Sequence, residues 1–209
     1  MKIVVFGATG RTGLPLVGQA LERGYEVTAF ARTPSKVPMS HERLRVVEGD
    51  VTDAEAVSGA VAGQDAVVSV IGHTKTSPKD VQSVGTRNIV RAMSEHGVRR
   101  IVSLTGAGVR DASDEPKFFD KVIVFLLKTL QGDVLADGVQ HAEILKASSF
   151  EWVIVRGPML TEGDRKGEYR VGSVGKNSGS KISRADLADF MLGQLTDDAH
   201  LGRMPMVSY

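Results

Sequence analysis

The chain contains no cysteine, which excludes disulfides, thiolate catalysis and cysteine-ligated metals. It has no excess of either charge. The 26 Lys and Arg stand against 25 Asp and Glu, for a net charge of +1, so neither nucleic acid nor an anionic membrane is an expected partner. A long apolar run is missing too: the longest strongly apolar stretch, VIVFLL at 122–127, is far too short to cross a bilayer. The first residues read as a strand and not as a charged, then apolar, then small-residue leader, and a cytoplasmic protein is expected. No pair of histidines shows metal-ligand spacing, and no Gly-x-Ser-x-Gly nucleophile elbow occurs.

What is present is a repeating pattern. Short β-branched runs at 2–7, 26–32, 44–50, 65–72, 99–106 and 151–157 alternate with helical stretches, including 11–23 and 79–96. A further helix follows the third run, with Thr52 or Asp53 as N-cap and Glu55 in its first turn. The apolar runs are nearly continuous and not alternating, which predicts strands covered by helices on both faces. Repeated strand–helix units predict a parallel sheet with right-handed crossovers. The expectation is one α/β domain over 1–209: a three-layer, doubly wound, Rossmann-like sheet of order 3-2-1-4-5-6, with 203–209 as a seventh strand at the edge. Residues 107–134 break the rhythm, beginning polar and ending apolar, and predict a lid over a pocket or an extra helix packed on the body or at an interface with a second subunit. Ser183 to Asp186 reads as a helix cap, with Arg184 and Asp186 anchoring the helix that follows, and Trp152 reads as core.

The glycines carry the functional signal. Gly7, Gly10 and Gly13 close the first strand and open the first helix. In that place the first glycine permits a tight turn, the second lets a diphosphate approach the backbone, and the third lets the helix pack close to the sheet. The helix N-terminus offers free N–H groups and partial positive charge, and Thr9, Arg11 and Thr12 can add hydrogen bonds. A dinucleotide is the predicted ligand. At the end of the second strand stands Arg32, where an acid would hold a ribose 2′-hydroxyl. A guanidinium binds a 2′-phosphate bidentately, and Ser35 and Lys36 can reinforce it, so NADP(H) is the predicted cofactor. Asp50 and Val51 are placed to flank the adenine, although Asp50 also reads as a helix-capping residue. Ile71 and Gly72 would line the middle of the cofactor, and Thr105 and Gly106 its nicotinamide end. Pro158, Met159 and Leu160 would wall the nicotinamide ring.

The segments VVFGATGRTG, GYEVTAFAR, VVEGDVTD, VAGQDAVVSVIG, GTRNIVRAM, HGVRRIV and ISRADLADFML resemble, in order and over nearly the whole chain, the atypical short-chain dehydrogenase/reductases. Within them the likeness is to the biliverdin reductase B and NADPH-dependent flavin reductase branch, with the NmrA-like proteins as near relatives. The resemblance implies cofactor contacts at Gly7, Thr9, Gly10, Thr12, Arg32, Ser35, Lys36, Asp50, Val51, Ile71 and Gly72, and further ones at Gln82, Gly106, Met159 and Leu160. The flavin reductases have serine where Gly106 stands and histidine where Met159 stands, which leaves substrate identity open.

The wider superfamily uses a Tyr-x-x-x-Lys pair as proton donor. Here the corresponding helix reads LADGVQHAEILKASS, and none of Tyr25, Tyr169 and Tyr209 starts such a motif. Reduction of a simple ketone needs an acid for the developing alkoxide, so no catalytic side chain is assigned. Flavins, quinones and tetrapyrroles spread the incoming charge and can draw their proton from solvent. The expected activity is NADPH-dependent hydride transfer to such a small planar acceptor by a monomer or small homo-oligomer. A non-turning-over NADP(H) sensor of NmrA type is the alternative. His141 is the nearest titratable candidate on that helix and is expected to face solvent, and His73 after the fourth strand is placed near the cofactor's phosphates.

Overall fold

The computed structural model describes residues 1–118, 129 and 131–209. Strand β1 (Lys2–Phe6) leads to helix α1 (Gly13–Glu22), β2 (Glu26–Ala31), a 3₁₀ turn (Pro34–Lys36), β3 (Leu44–Glu48), α2 (Ala54–Val61) and β4 (Ala66–Ser69). Helix α3 (Val81–His96), β5 (Arg100–Gly106), α4 (Gly132–Lys146) and β6 (Glu151–Gly157) follow. The chain ends with β7 (Met159–Thr161), β8 (Arg170–Gly172), β9 (Lys181–Ser183), α5 (Arg184–Gly193) and β10 (Met206–Ser208). Much of the 107–134 insertion, residues 119–128 and 130, lies outside the described residues.

The main sheet runs β3-β2-β1-β4-β5-β6-β10-β8, so the predicted 3-2-1-4-5-6 order is observed. All its pairings are parallel except β10 with β8. The 203–209 stretch does supply a seventh strand, but not the edge. Strand β8 pairs antiparallel beyond it, through Met206↔Gly172 to Ser208↔Arg170. A three-residue strand carrying an exposed arginine is a natural protection for a sheet edge. β7 and β9 form a separate parallel pair.

Strand β1 shows why the sheet needs helices on both faces. Ile3 and Val5 belong to one apolar core, Val4 and Phe6 to the other, and all four are fully buried. The first core packs Leu16 and Val17 of α1 with Leu187 and Met191 of α5; the second packs Val57 of α2 with Ile89 and Met93 of α3 and Leu145 of α4. Each such side chain stabilises the fold by about 1.5–3 kcal/mol. Trp152 packs partly buried against the second core.

Helix starts follow the predicted chemistry. Asp53, not Thr52, caps α2, its Oδ1 accepting from the N–H groups of Glu55 and Ala56. Ser183 Oγ caps α5 by accepting from the Asp186 N–H at 3.0 Å. Asp186 in turn accepts from the N–H groups of Lys166 and Gly167, pinning the preceding loop to the helix. Burial alone would raise the Asp186 carboxyl, but hydrogen bonds from the Tyr209 hydroxyl, these two amides and Ser183 hold it below the ordinary value. No helix among the described residues is long and apolar enough to cross a membrane.

Candidate cofactor cleft

The carboxyl ends of the parallel strands open into a cleft of about 620 Å³, within the size range of ligand sites. Its floor is the turn after β1. Gly7 sits at φ +82°, and a Cβ there would lie 2.6 Å from the Val70 carbonyl oxygen. Only glycine fits both demands. Gly13 is required for another reason: a Cβ there would lie 2.1 Å from the Gly7 carbonyl oxygen. The helix therefore starts hard against the turn. Its N-cap, Thr12, makes no capping hydrogen bond through its side chain, and first-turn N–H groups have no intrahelical acceptors. Gly7, Thr9, Gly10, Arg11 and Thr12 all line the cleft, while Gly13 is buried beneath it. A backbone stripped of side chains at a helix N-terminus fits a diphosphate.

At one end Arg32, Asp50 and Val51 line the wall beyond β2 and β3. The Gly-Asp-Val sequence there has three separate causes. A Cβ on Gly49 would lie 2.4 Å from Cζ of Phe30, whose ring also packs 5.0 Å from that of Phe6. Asp50 Oδ1 accepts from the Thr52 N–H at 2.9 Å and the Thr52 hydroxyl at 2.7 Å, which closes the turn before α2; the helix itself is capped by Asp53, so Asp50 lines the cleft without the helix-capping role. The Thr52 N–H does most to lower the Asp50 carboxyl below its ordinary value; burial opposes, and the Thr52 hydroxyl and the Arg32 charge assist. Val51 packs where Gly85 of α3 leaves room for it. Ser35 and Lys36 lie in the exposed 3₁₀ turn and do not line the cleft.

In the middle and at the other end, Ile71 and Gly72 beyond β4, Thr105 and Gly106 closing β5, Gln82 of α3, and Pro158 and Leu160 beyond β6 all line the cleft. Met159 does not: it is 63% exposed, because successive residues of a strand face opposite ways and Leu160 takes the inward side. Several lining residues escaped the sequence reading of the site, Phe30, Val134 and Arg184 among them. Phe30 was hidden inside an apolar strand, Val134 stood at the end of the irregular insertion, and Arg184 read as a helix anchor.

Helix α4 also departs from expectation. His141 is fully buried, not solvent-facing. Thr86 donates its hydroxyl to the Gln82 carbonyl, so it accepts from His141 Nδ1 at 2.7 Å, while Ser103 Oγ lies 3.1 Å from Nε2. Burial pushes the imidazole down to about 4, against the attraction of Asp137. A neutral ring wedged between two hydroxyls is a packing element. One turn earlier, Asp137 accepts from the N–H groups of Gln82 and Ser83 at 2.8 and 2.9 Å. It thereby caps α3, whose own Asp80 makes no capping hydrogen bond through its side chain. His73, which lines the cleft, brings Nε2 to 3.0 Å from both Asp137 Oδ2 and the Lys79 carbonyl oxygen. Two acceptors at Nε2 fix its proton there. Among the described residues no group of three or more His, Asp and Glu could hold a metal ion.

Comparison with known proteins bears on the fold and on the class of ligand. The aligned part of a 3-beta-hydroxysteroid dehydrogenase from Mycolicibacterium neoaurum is 37% identical over 113 residues, 48% of this chain and 31% of that protein. The chain spans about a third of the length of that protein and of a second curated relative, the 3 beta-hydroxysteroid dehydrogenase/Delta 5-->4-isomerase of Mycobacterium tuberculosis. A short-chain dehydrogenase/reductase from Veillonella parvula, solved in complex with NADP, superimposes with a TM-score of 0.83 at 21% identity, covering 100% of this chain and 94% of that one. The anaerobilin reductase ChuY from Escherichia coli O157:H7 superimposes with a TM-score of 0.82 at 18% identity, covering 100% and 97%. Both are likenesses of fold. The profile of NAD(P)H-binding proteins matches residues 7–198, and the chain belongs to that NAD(P)H-binding family.

Proposed function

We propose that this protein is an NADPH-dependent reductase that passes hydride to a flavin, a quinone or a similar planar conjugated acceptor. The observation that carries the reading is the continuity of the cleft. It runs from Arg32 at one end, over the bare glycine turn, to a wall of Leu104, Val134 and Leu160 at the other. Arg32 would take the ribose 2′-phosphate, which favours NADP(H) over NAD(H). Asp50 and Val51 would flank the adenine, the turn and α1 N-terminus would hold the diphosphate, and Thr105, Gly106 and Pro158 would border the nicotinamide. The bound cofactor supplies the hydride; the acceptor takes it together with one proton from solvent. The protein's part is to bind, to stack two flat rings and to exclude water between them. A site without a Tyr-x-x-x-Lys pair is compatible with that chemistry. Steady-state NADPH oxidation with FMN, riboflavin and quinones tests the proposal, and turnover with at least one of them is expected.

A second reading, a redox sensor of NmrA type, is favoured by one observation. On α4 the two buried ionisable groups, Asp137 and His141, are both committed to structural hydrogen bonds. Tight NADP(H) binding with no turnover across the whole panel would select it.

A further inference from the structure

We propose that Arg184 is a subsite for an anionic substituent of the acceptor, a carboxylate or a phosphate, and that Glu162 is the internal carboxylate it exchanges. The proposal rests on the reading of the protein as a reductase of planar acceptors. Arg184 follows β9, and the pairing of β9 with β7 (Leu160↔Ile182, Thr161↔Ser183) carries it level with Glu162, two residues beyond Leu160, with which it lines the cleft. On the proposed reading this is the acceptor's end of the cleft, where it adjoins the glycine turn. The residue is only 9% exposed, yet it lines the cleft. Its Nη1 donates to Glu162 Oε1 at 2.7 Å, and Arg11 Nη1 from the glycine turn lies 3.6 Å from the same oxygen.

The asymmetry of this pair is the argument. A nearly buried guanidinium requires an anion, and the anion it has stands 69% in solvent. Water competes for such a carboxylate, so the pair is held weakly and exchanges at small loss. The contrast within the same molecule is the Arg156–Asp114 pair at 2.8 Å, whose side chains are 0% and 3% exposed. That pair is closed to ligands and is structural; the Arg184 pair is open on its anion's side. Nor does α5 need the guanidinium, because Ser183 already caps that helix.

FMN and riboflavin share one ring system and differ by a phosphate, which isolates the subsite. The protein should prefer FMN, both in KM and in equilibrium binding to the NADP⁺-loaded protein read by flavin fluorescence. R184Q should raise the FMN constants by roughly ten- to a hundredfold and erase the preference, and R184K should restore part of it. E162Q, an exposed change that leaves the fold intact, should act in the opposite direction and tighten FMN by roughly two- to fivefold. A quinone carrying a carboxylate, set against its methyl ester, repeats the comparison for the other anion. A lost preference in either pair supports the subsite. Equal losses for both members of each pair, or lost NADP⁺ affinity with the preference retained, would overturn it. Absence of turnover and of binding with every acceptor, with NADP⁺ still bound, would instead remove the reductase reading on which it stands.

Discussion

His141 links a buried contact to the pH dependence of stability in a way that can be worked out. In the unfolded chain its imidazole titrates near 6.5; in the fold, burial lowers it to about 4. Between those values the unfolded state binds a proton that the native state refuses. Stability therefore rises with pH through this window, is complete above about pH 6.5, and is lost as pH falls toward 4. The full difference is about 3 kcal/mol, and roughly 2 kcal/mol of it should disappear between pH 7.5 and pH 5. The lowered carboxyls of Asp111, Asp114 and Asp186 act in the same direction, but their contribution is lost below about pH 5, as the unfolded-state carboxylates protonate. Urea melts at half-unit intervals from pH 5 to 7.5, on wild type and on His141→Gln, measure the slope. Glutamine offers a donor and an acceptor to Thr86 and Ser103 without titrating. The variant should be less stable at neutral pH and nearly flat across the window. Identical slopes in the two proteins would refute the assignment of a neutral, desolvated His141.

Three other perturbations probe the cleft. Arg32→Ala should weaken NADPH binding roughly ten- to a hundredfold while NADH changes less than about twofold; calorimetry showing equal losses for both would remove the 2′-phosphate role. Gly13→Ala pushes a methyl group to 2.1 Å from the Gly7 carbonyl oxygen, so it should destabilise the fold by about 1–3 kcal/mol and abolish cofactor binding; an unchanged melt with normal NADPH affinity would contradict the close approach. His73→Gln should lower kcat with FMN by no more than about threefold if solvent provides the proton, whereas a loss of about a hundredfold or more would identify the imidazole as a general acid.

The sheet was readable because its signals are local. A continuous apolar run says that a strand is covered on both sides, and six of them in alternation with helices leave few topologies. What escaped is the stretch from 159 to 183. Strands β7, β8 and β9 have three residues each, too few for any period to register. They exist because neighbours distant in sequence offer ladder partners, as β10 does for β8. Helix α4 misled for a related reason. Its pattern places Val139 in solvent at 42% exposure and buries Asp137 and His141, the reverse of what apolar periodicity predicts. Polar groups go inside only where partners wait for them, here the N–H groups of Gln82 and Ser83 and the hydroxyls of Thr86 and Ser103. Those partners come from α3 and β5, some 40 to 55 residues away, and no window along the chain brings them together.

The same distinction divides the two halves of the cleft. A diphosphate is recognised by what a short stretch lacks, so Gly7, Gly10 and Gly13 declare themselves within seven residues. A 2′-phosphate adds one charge at a strand end, and Arg32 follows from position alone. The end that the proposed reading gives to the acceptor has no such economy. Its wall joins Leu104 of β5, Val134 of α4, Leu160 of β7 and Arg184 of α5, four elements whose proximity is a consequence of the completed fold. If the protein is a reductase, as proposed, the residues that would distinguish its acceptor lie on the β7–β9 side, where Met159 is turned outward and Arg184 lines the cleft.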